Sequence, residues 1–322
     1  MDSVTAVDAE QTPWPAPPPR RRRWLVALVL TLMAAAVGGG TLVVRRFVEP
    51  RSDDDPPFDD EKKLRDRAEH PPLAVAPPKG ITLPEVSEGA PIPPQDLVLT
   101  VSKTMLALEG EDVVAVPADP RHGFDAKYKR SGPTDLYVHP LALTLAWARH
   151  YPSMIHRPAA MTLLVDRDIP YRLLVEVLFT LGQNEWVTFH LGAMHAGKVV
   201  GLKDTKPPRA GTSRPAPSQA RLGLTVLIVP DGMSIKARGG NVAPGCQDTG
   251  PGIAIPKTAA GYDYAGLRAC AAKLKTLATE FASETEAVIS ANPDTPYGAI
   301  VTTMDTLQSE ALFPDIMFGI AR

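Results

Sequence analysis

The chain has 322 residues, which is enough for two folded domains with tails, and its formal net charge is −2. This near balance excludes the strong positive field that attracts nucleic acids or anionic lipids, so we expect no nucleic-acid partner. Two cysteines are too few for a structural zinc site, and we expect neither a metal ion nor a cofactor. Proline is the unusual residue, with 34 in the chain.

The N-terminal region combines a polar tail with one long apolar segment. Residues 1–23 are polar and rich in proline and arginine, which predicts a disordered tail. Residues 24–44 carry no charge, and this length spans a hydrocarbon core of ~30 Å as a helix. The arginines at positions 20–23 favour a cytoplasmic N-terminus. Small residues spaced four apart would let a second helix approach closely: Ala34, Ala35, Ala36, Gly38, Gly39 and Gly40.

This segment has two interpretations, an uncleaved transmembrane anchor and a cleaved signal peptide. The small residues that follow the apolar core are also typical of a cleaved signal peptide, although the apolar run is longer than usual for one. Residues 45–95 contain acidic clusters and Pro-Pro pairs, which predicts an extended linker between the transmembrane helix and the folded part.

The first folded unit is predicted to cover residues 96–202. Apolar runs predict a strand at Leu97–Val101 and a hairpin partner at Met105–Leu108, with a turn at Glu109-Gly110. Leu141–Ala148 predicts a buried helix, and Val187–Leu191 predicts a closing strand.

A second linker is predicted at residues 203–221, and a second unit at residues 222–322 repeats the order of the first. Asp231-Gly232 between two apolar runs predicts a hairpin. A helix is expected from Tyr264 to Phe281, with Leu267, Cys270, Leu274 and Leu277 on one stripe, and a final strand at 316–320. Each unit is therefore predicted as α+β with the order ββαβαβ, two helices on one face of a small mixed sheet.

A short stretch occurs in both units, 126 positions apart. It contains Asp168, Pro170 and Tyr171 in the first unit, and Asp294, Pro296, Tyr297 and Gly298 in the second. An apolar strand precedes each copy and an amphipathic helix follows it. Proline suits the first helical turn, and we interpret the two aspartates as structural caps rather than catalysts.

The run VISANPDTPYGAIVTTMDTLQSEALFPDIMFGI, residues 288–320, resembles the C-terminal part of the periplasmic domain of ExbD/TolR-family proteins. The resemblance covers residues 222–322 well and residues 96–191 more loosely, with Arg172 where the glycine of the motif would fall. It implies a single-pass protein of the inner membrane of a Gram-negative bacterium, with two tandem ExbD/TolR-like periplasmic domains.

The resemblance also implies partners and a role in biopolymer or protein transport. Family members act with a polytopic membrane protein of the ExbB/TolQ/MotA type, and their periplasmic domains pair, so the two repeats are expected to pair within one chain. The family carries an aspartate in its transmembrane helix, whereas residues 24–44 contain no ionisable side chain. We therefore expect an accessory subunit of an energy-transduction complex, rather than its proton carrier.

The two cysteines have two interpretations. Cys246 lies in a glycine-rich loop and Cys270 lies in the predicted helix. An oxidising periplasm favours a disulfide that ties this loop to the helix, and two free thiols are the alternative.

No enzyme signature occurs in the sequence, and we expect a non-enzymatic protein. The alternative function is a membrane-tethered periplasmic binding module for the cell wall or a partner protein. Such a module could take an extended peptide by adding it to a sheet edge.

Overall fold

The computed structural model describes residues 79–93, 96–149, 160–186, 188–202, 205–206 and 221–319. All of them belong to one compact unit. The predicted tail, the predicted transmembrane helix with its small residues, and most of the first linker lie outside the described residues. Within these described ranges, no helix is long and apolar enough to cross a bilayer.

The described residues of the first repeat and of the segment that follows it form seven strands and two α-helices. The strands are β1 (Leu97–Val101), β2 (Met105–Leu108), β3 (Glu111–Ala115), β4 (Ala160–Val165), β5 (Thr188–His195), β6 (Lys198–Gly201) and β7 (Thr205–Lys206). The helices are α1 (His139–Arg149) and α2 (Tyr171–Gln183).

In the second repeat, the part of the chain that the structure describes forms six strands and three α-helices. The strands are β8 (Leu224–Val229), β9 (Gly232–Ala237), β10 (Gly240–Asn241), β11 (Ile255–Pro256), β12 (Glu286–Ala291) and β13 (Asp315–Phe318). The helices are α3 (Tyr264–Lys275), α4 (Thr279–Ala282) and α5 (Tyr297–Gln308).

Eleven of the named strands join into one path, β10-β9-β8-β12-β13-β7-β5-β4-β1-β2-β3, while β11 pairs with β9 and β6 pairs with β5 off this path. Each repeat contributes the same local order, and the parallel pairs correspond: β1 pairs with β4 in the first repeat as β8 pairs with β12 in the second. Strand β7 lies where the two halves meet, because it pairs with β13 on one side and with β5 on the other. The predicted second linker therefore contains a strand that connects the repeats.

Two helices differ from the prediction. The helix expected to continue to Phe281 ends at Lys275, where the Thr276 N–H and hydroxyl both bond to the Lys273 carbonyl. Leu277 consequently leaves the buried stripe and is 63% exposed. Helix α1 was expected to be buried, but only one of its faces is buried, and Trp147 on the other face is 46% exposed.

Residues 79–93, which we call the strap, were predicted to belong to the first linker. The structure instead packs the strap on the sheet, with Ile81, Leu83, Val86 and Ile92 buried. Pro84 and Val86 exchange backbone hydrogen bonds with Met194 of β5, and Ala90 exchanges two with Gly201 of β6. The proline-rich composition was interpreted as a linker. Proline is also tolerated in a segment at the edge of a sheet, where its missing N–H faces away from the neighbouring strand.

The apolar core has two parts. The larger cluster runs through both repeats and includes the helix faces of α2, α3 and α5. The smaller cluster contains Val98 and Leu164 from the sheet and Ile81, Leu83 and Ile92 from the strap. Because successive side chains of a strand point to opposite faces, the strap covers the face of β1 and β4 opposite to Leu99 and Leu163.

Candidate functional site

The two copies of the repeated stretch meet each other. Each copy follows a buried strand, β4 or β12, and each leads directly into a helix, α2 or α5. Pro170 and Pro296 form an antiparallel bridge, so the two loops run past each other in opposite directions. We call this contact the Pro-Tyr junction; it comprises residues 166–172 and 292–298.

The hydrogen bonds of the Pro-Tyr junction are reciprocal. Tyr171 N–H donates to the Thr295 carbonyl at 2.7 Å, and Tyr297 N–H donates to the Ile169 carbonyl at 2.7 Å. One residue further on, Arg172 N–H donates to Pro293 at 3.0 Å and Gly298 N–H donates to Arg167 at 2.8 Å. Each bond becomes its partner when the two repeats are exchanged, which is the pattern of an isologous interface between two like subunits.

These four bonds cap both helices. The first N–H groups of a helix have no partner inside it, and a side chain or water usually satisfies them. Here Tyr171 and Arg172 open α2, Tyr297 and Gly298 open α5, and backbone carbonyls of the opposite repeat accept their N–H groups. Each repeat therefore caps the N-terminus of a helix of the other repeat. Separating the repeats would leave these four amide groups without their acceptors.

The capping role predicted for Asp168 and Asp294 is wrong. The N-cap residues are Pro170 and Pro296, in extended conformation, and neither helix has a side-chain cap. Asp168 instead binds the Lys103 ammonium at 2.5 Å, and this hydrogen bond lowers the pKa of its carboxyl. The physical reason is that the opposite repeat's carbonyls already occupy the amides that a carboxylate would cap.

Both tyrosines of the junction are buried and reach across it. The Tyr171 hydroxyl donates to the Gly319 carbonyl, just beyond β13, and the Tyr297 hydroxyl donates to the Gly192 carbonyl of β5 at 3.4 Å. Burial raises the pKa of both hydroxyls far above the ordinary value for tyrosine, so both stay neutral donors. Each tyrosine thus connects the N-terminus of its own helix to the opposite repeat, at the end of β13 for Tyr171 and in β5 for Tyr297.

The glycine of the motif packs closely against the opposite repeat. A Cβ at Gly298 would lie 3.3 Å from the Arg167 carbonyl oxygen and 3.4 Å from the Arg167 Cβ, across the junction. The first copy has Arg172 at the same place. Its guanidinium turns away along α2, to Glu176 at 2.8 Å and the Thr134 carbonyl at 3.3 Å.

Glu176 holds a long loop of the first repeat against α2. Lys129 and Glu176 have side chains that are 0% exposed and form an ion pair of 2.6 Å. The other carboxylate oxygen accepts the Phe124 N–H at 2.8 Å. Burial raises the pKa of the Glu176 carboxyl, and the hydrogen bonds from Lys129 and Phe124 oppose that rise.

The second repeat holds the corresponding loop covalently. The Sγ atoms of Cys246 and Cys270 are 1.97 Å apart, as the disulfide interpretation predicts. Cys270 lies on the buried face of α3, so the bond fixes the glycine-rich loop to the helix. The two repeats share a fold and a junction but use different chemistry to hold this loop.

One polar cluster was not predicted from the sequence. Asp96 accepts hydrogen bonds from the Thr162 hydroxyl at 2.9 Å and contacts His190 Nδ1 at 2.5 Å. The side chain of Asp96 is 0% exposed and that of His190 is 16% exposed. The three residues come from separate strands or strand ends, and no spacing in the sequence links them.

The described residues contain no group of three or more His, Cys, Asp or Glu side chains that could hold a metal ion. No family model, no curated protein and no solved structure matches the chain.

Proposed function

We propose that the chain is a non-enzymatic, single-pass subunit of an inner-membrane energy-transduction or transport complex of the ExbB/ExbD or TolQ/TolR kind. In this proposal the N-terminus is cytoplasmic, residues 24–44 span the membrane, and the described residues lie in the periplasm. The polytopic partner is of the ExbB/TolQ/MotA type.

The observation that carries the proposal is the reciprocal Pro-Tyr junction. The stretch that resembles the ExbD/TolR family is the same stretch through which the two repeats pair, by hydrogen bonds that exchange when the repeats are exchanged. This supports a fused pair of family-like domains, in which one polypeptide supplies what two subunits supply elsewhere. A single helix then serves two periplasmic domains, and it lacks an ionisable side chain, so the subunit is accessory and does not carry protons.

The test is purification of the tagged full chain from its native membranes in a gentle detergent, followed by mass spectrometry. The proposal predicts recovery of a multi-helix ExbB-like protein in fixed ratio. Gly39→Leu, which fills the small-residue surface, should abolish this recovery. Val37→Leu is the matched control, because it alters a neighbouring residue that is already large, and it should leave recovery unchanged.

A second candidate function, the tethered binding module, is favoured by the position of β3. This strand is the last of the path, with Glu111 and Asp112 exposed at its start. An extended peptide could add to such an edge. Recovery of the chain alone, or only with cell-wall components or a periplasmic protein, would contradict the motor-complex proposal and support the binding module.

A further inference from the structure

The strap connects the N-terminal side of the chain to both repeats. On the first repeat, Arg167 N–H donates to the Thr82 carbonyl at 2.8 Å, and Thr82 N–H donates to the buried Asp166 carboxylate at 2.9 Å. The strap then runs along β5 and β6, where it bonds to Met194 and Gly201. Hydrogen bonds spaced from residue 82 to residue 90 therefore hold the strap along the first repeat.

Two hydrogen bonds among the described residues join the strap to the second repeat. The Ser87 N–H and hydroxyl both donate to the Asp305 carboxylate of α5, at 3.1 and 2.8 Å. These bonds are solvent-exposed. Exposed polar contacts are weak because water competes for them, so this clamp is the contact most easily lost.

The last part of the strap lies beside a buried polar pair. Asp96 Oδ1 is buried without a hydrogen-bond partner among the described residues. His190, which binds the other oxygen of Asp96, lies beside the last part of the strap, because Gly201 is close to the His190 Cβ, the Ala90 carbonyl and Ile92. A buried carboxylate oxygen without a partner destabilises the closed state, and water would reach it if the strap lifted.

Close packing holds the strap in place. A Cβ at Gly89 would lie 2.3 Å from Val200 Cγ2, so only glycine allows this approach. Apolar burial and a tight fit fasten the strap to the first repeat, and a weak clamp fastens it to the second. Its last part lies beside a buried polar pair in which one carboxylate oxygen has no partner among the described residues.

From this arrangement we propose that the strap is a releasable latch. It closes over β4, β5 and β6 while clamped to Asp305, and it opens without unfolding of the two repeats, exposing Asp96, His190 and the apolar face around Val98. Because residue 79 is the end nearest the N-terminal segment, tension from that side opens the bonds one after another. The source of that tension, a membrane anchor, rests on the proposed function, whereas the latch itself does not.

Cysteine labelling of the purified full chain tests the latch. The native cysteines are bonded to each other, so an introduced cysteine is the one free thiol. Val98→Cys places a thiol beneath the strap at a site that is 8% exposed. Val226→Cys is the control for global unfolding, because Val226 is fully buried in β8 of the second repeat and lies away from the strap. The rate of reaction with a maleimide is measured for each without reducing agent.

The latch predicts that the thiol at position 98 reacts much faster than the thiol at position 226 in otherwise native protein. Ser87→Ala combined with Asp305→Ala should raise the rate at position 98 several-fold, and Gly89→Val should raise it further, with the rate at position 226 unchanged. Equal rates at the two positions in every background would overturn the proposal, because the strap would then open only with global unfolding. An unchanged rate at position 98 in both variants would overturn it as well. Neither outcome depends on whether a membrane partner exists.

Discussion

Replacing Lys129 by methionine should strongly destabilise the first repeat. The substitution keeps the length of the side chain but leaves Glu176, which is 0% exposed, without its closest cation at 2.6 Å. Breaking one side of a buried ion pair costs about 3–5 kcal/mol. Glu176 would retain Arg172 at 2.8 Å and the Phe124 N–H at 2.8 Å, so we expect the lower end, about 3 kcal/mol.

The assay is urea unfolding of the purified full chain, followed by near-ultraviolet circular dichroism. With a slope of about 2–3 kcal/mol per molar urea, Lys129→Met should lower the midpoint by about 1 M. Lys127→Met is the matched control, because Lys127 forms an exposed pair with Asp125, and it should leave the midpoint unchanged. Adding Glu176→Gln to Lys129→Met should restore more than half of the loss, since no unpaired charge stays buried while the Phe124 N–H keeps an acceptor. Equal effects of the two lysine substitutions would show that Lys129 does not stabilise the buried Glu176 carboxylate.

Further predictions concern the disulfide, the tyrosines and one exposed carboxylate. Cys270→Ser should destabilise the second repeat by about 3 kcal/mol, from the entropy regained by a loop of 24 residues in the unfolded chain, as measured by urea unfolding; an equal midpoint before and after reduction of the native protein would contradict this. Tyr171→Phe should lower the free energy of unfolding by about 1 kcal/mol, and Tyr297→Phe should lower it less, because the hydroxyl contact of Tyr297 is longer, 3.4 Å. A larger drop in the urea midpoint for Tyr297→Phe than for Tyr171→Phe would contradict these hydrogen bonds. The hydrogen bond from Arg121 lowers the pKa of Asp119 to about 2, so the stabilisation from this pair is present above the ordinary aspartate pKa and lost as the pH falls towards 2. Carboxyl titration by NMR should show that Arg121→Ala returns the pKa of Asp119 to the ordinary range, and an unchanged value would contradict the assignment.

The local elements were largely predictable because apolar periodicity is a local signal. The hairpin at Asp231-Gly232 and the strands before both Pro-Tyr stretches lie where the apolar runs predict them. The helix break after Lys275 was missed because the run of favourable residues continues beyond it, and a hydroxyl bond at Thr276 is not visible as a pattern.

The contacts between distant segments could not be predicted in the same way. The strap has the proline-rich composition of a linker, and its role depends on partners such as Met194 and Gly201, more than 100 residues away. The pair Asp96 and His190 is 94 residues apart, so no motif contains both. The aspartate caps were predicted from the usual preference for Asp before a helix. Carbonyl groups of the opposite repeat accept the amides instead, and the local sequence carries no sign of a partner about 126 residues further along the chain.

Hydrogen exchange at the Pro-Tyr junction tests the central claim that the two repeats pair reciprocally. The amides of Tyr171, Arg172, Tyr297 and Gly298 are the first of their helices, and such amides ordinarily exchange quickly because they have no partner within the helix. Reciprocal pairing should give slow and similar exchange at all four amides in the full chain. It also predicts that Gly298→Val, which presses on Arg167 across the junction, speeds exchange at Tyr171 and Arg172 in the other repeat. Fast exchange in the native chain, or a Gly298→Val effect confined to its own helix, would contradict the account.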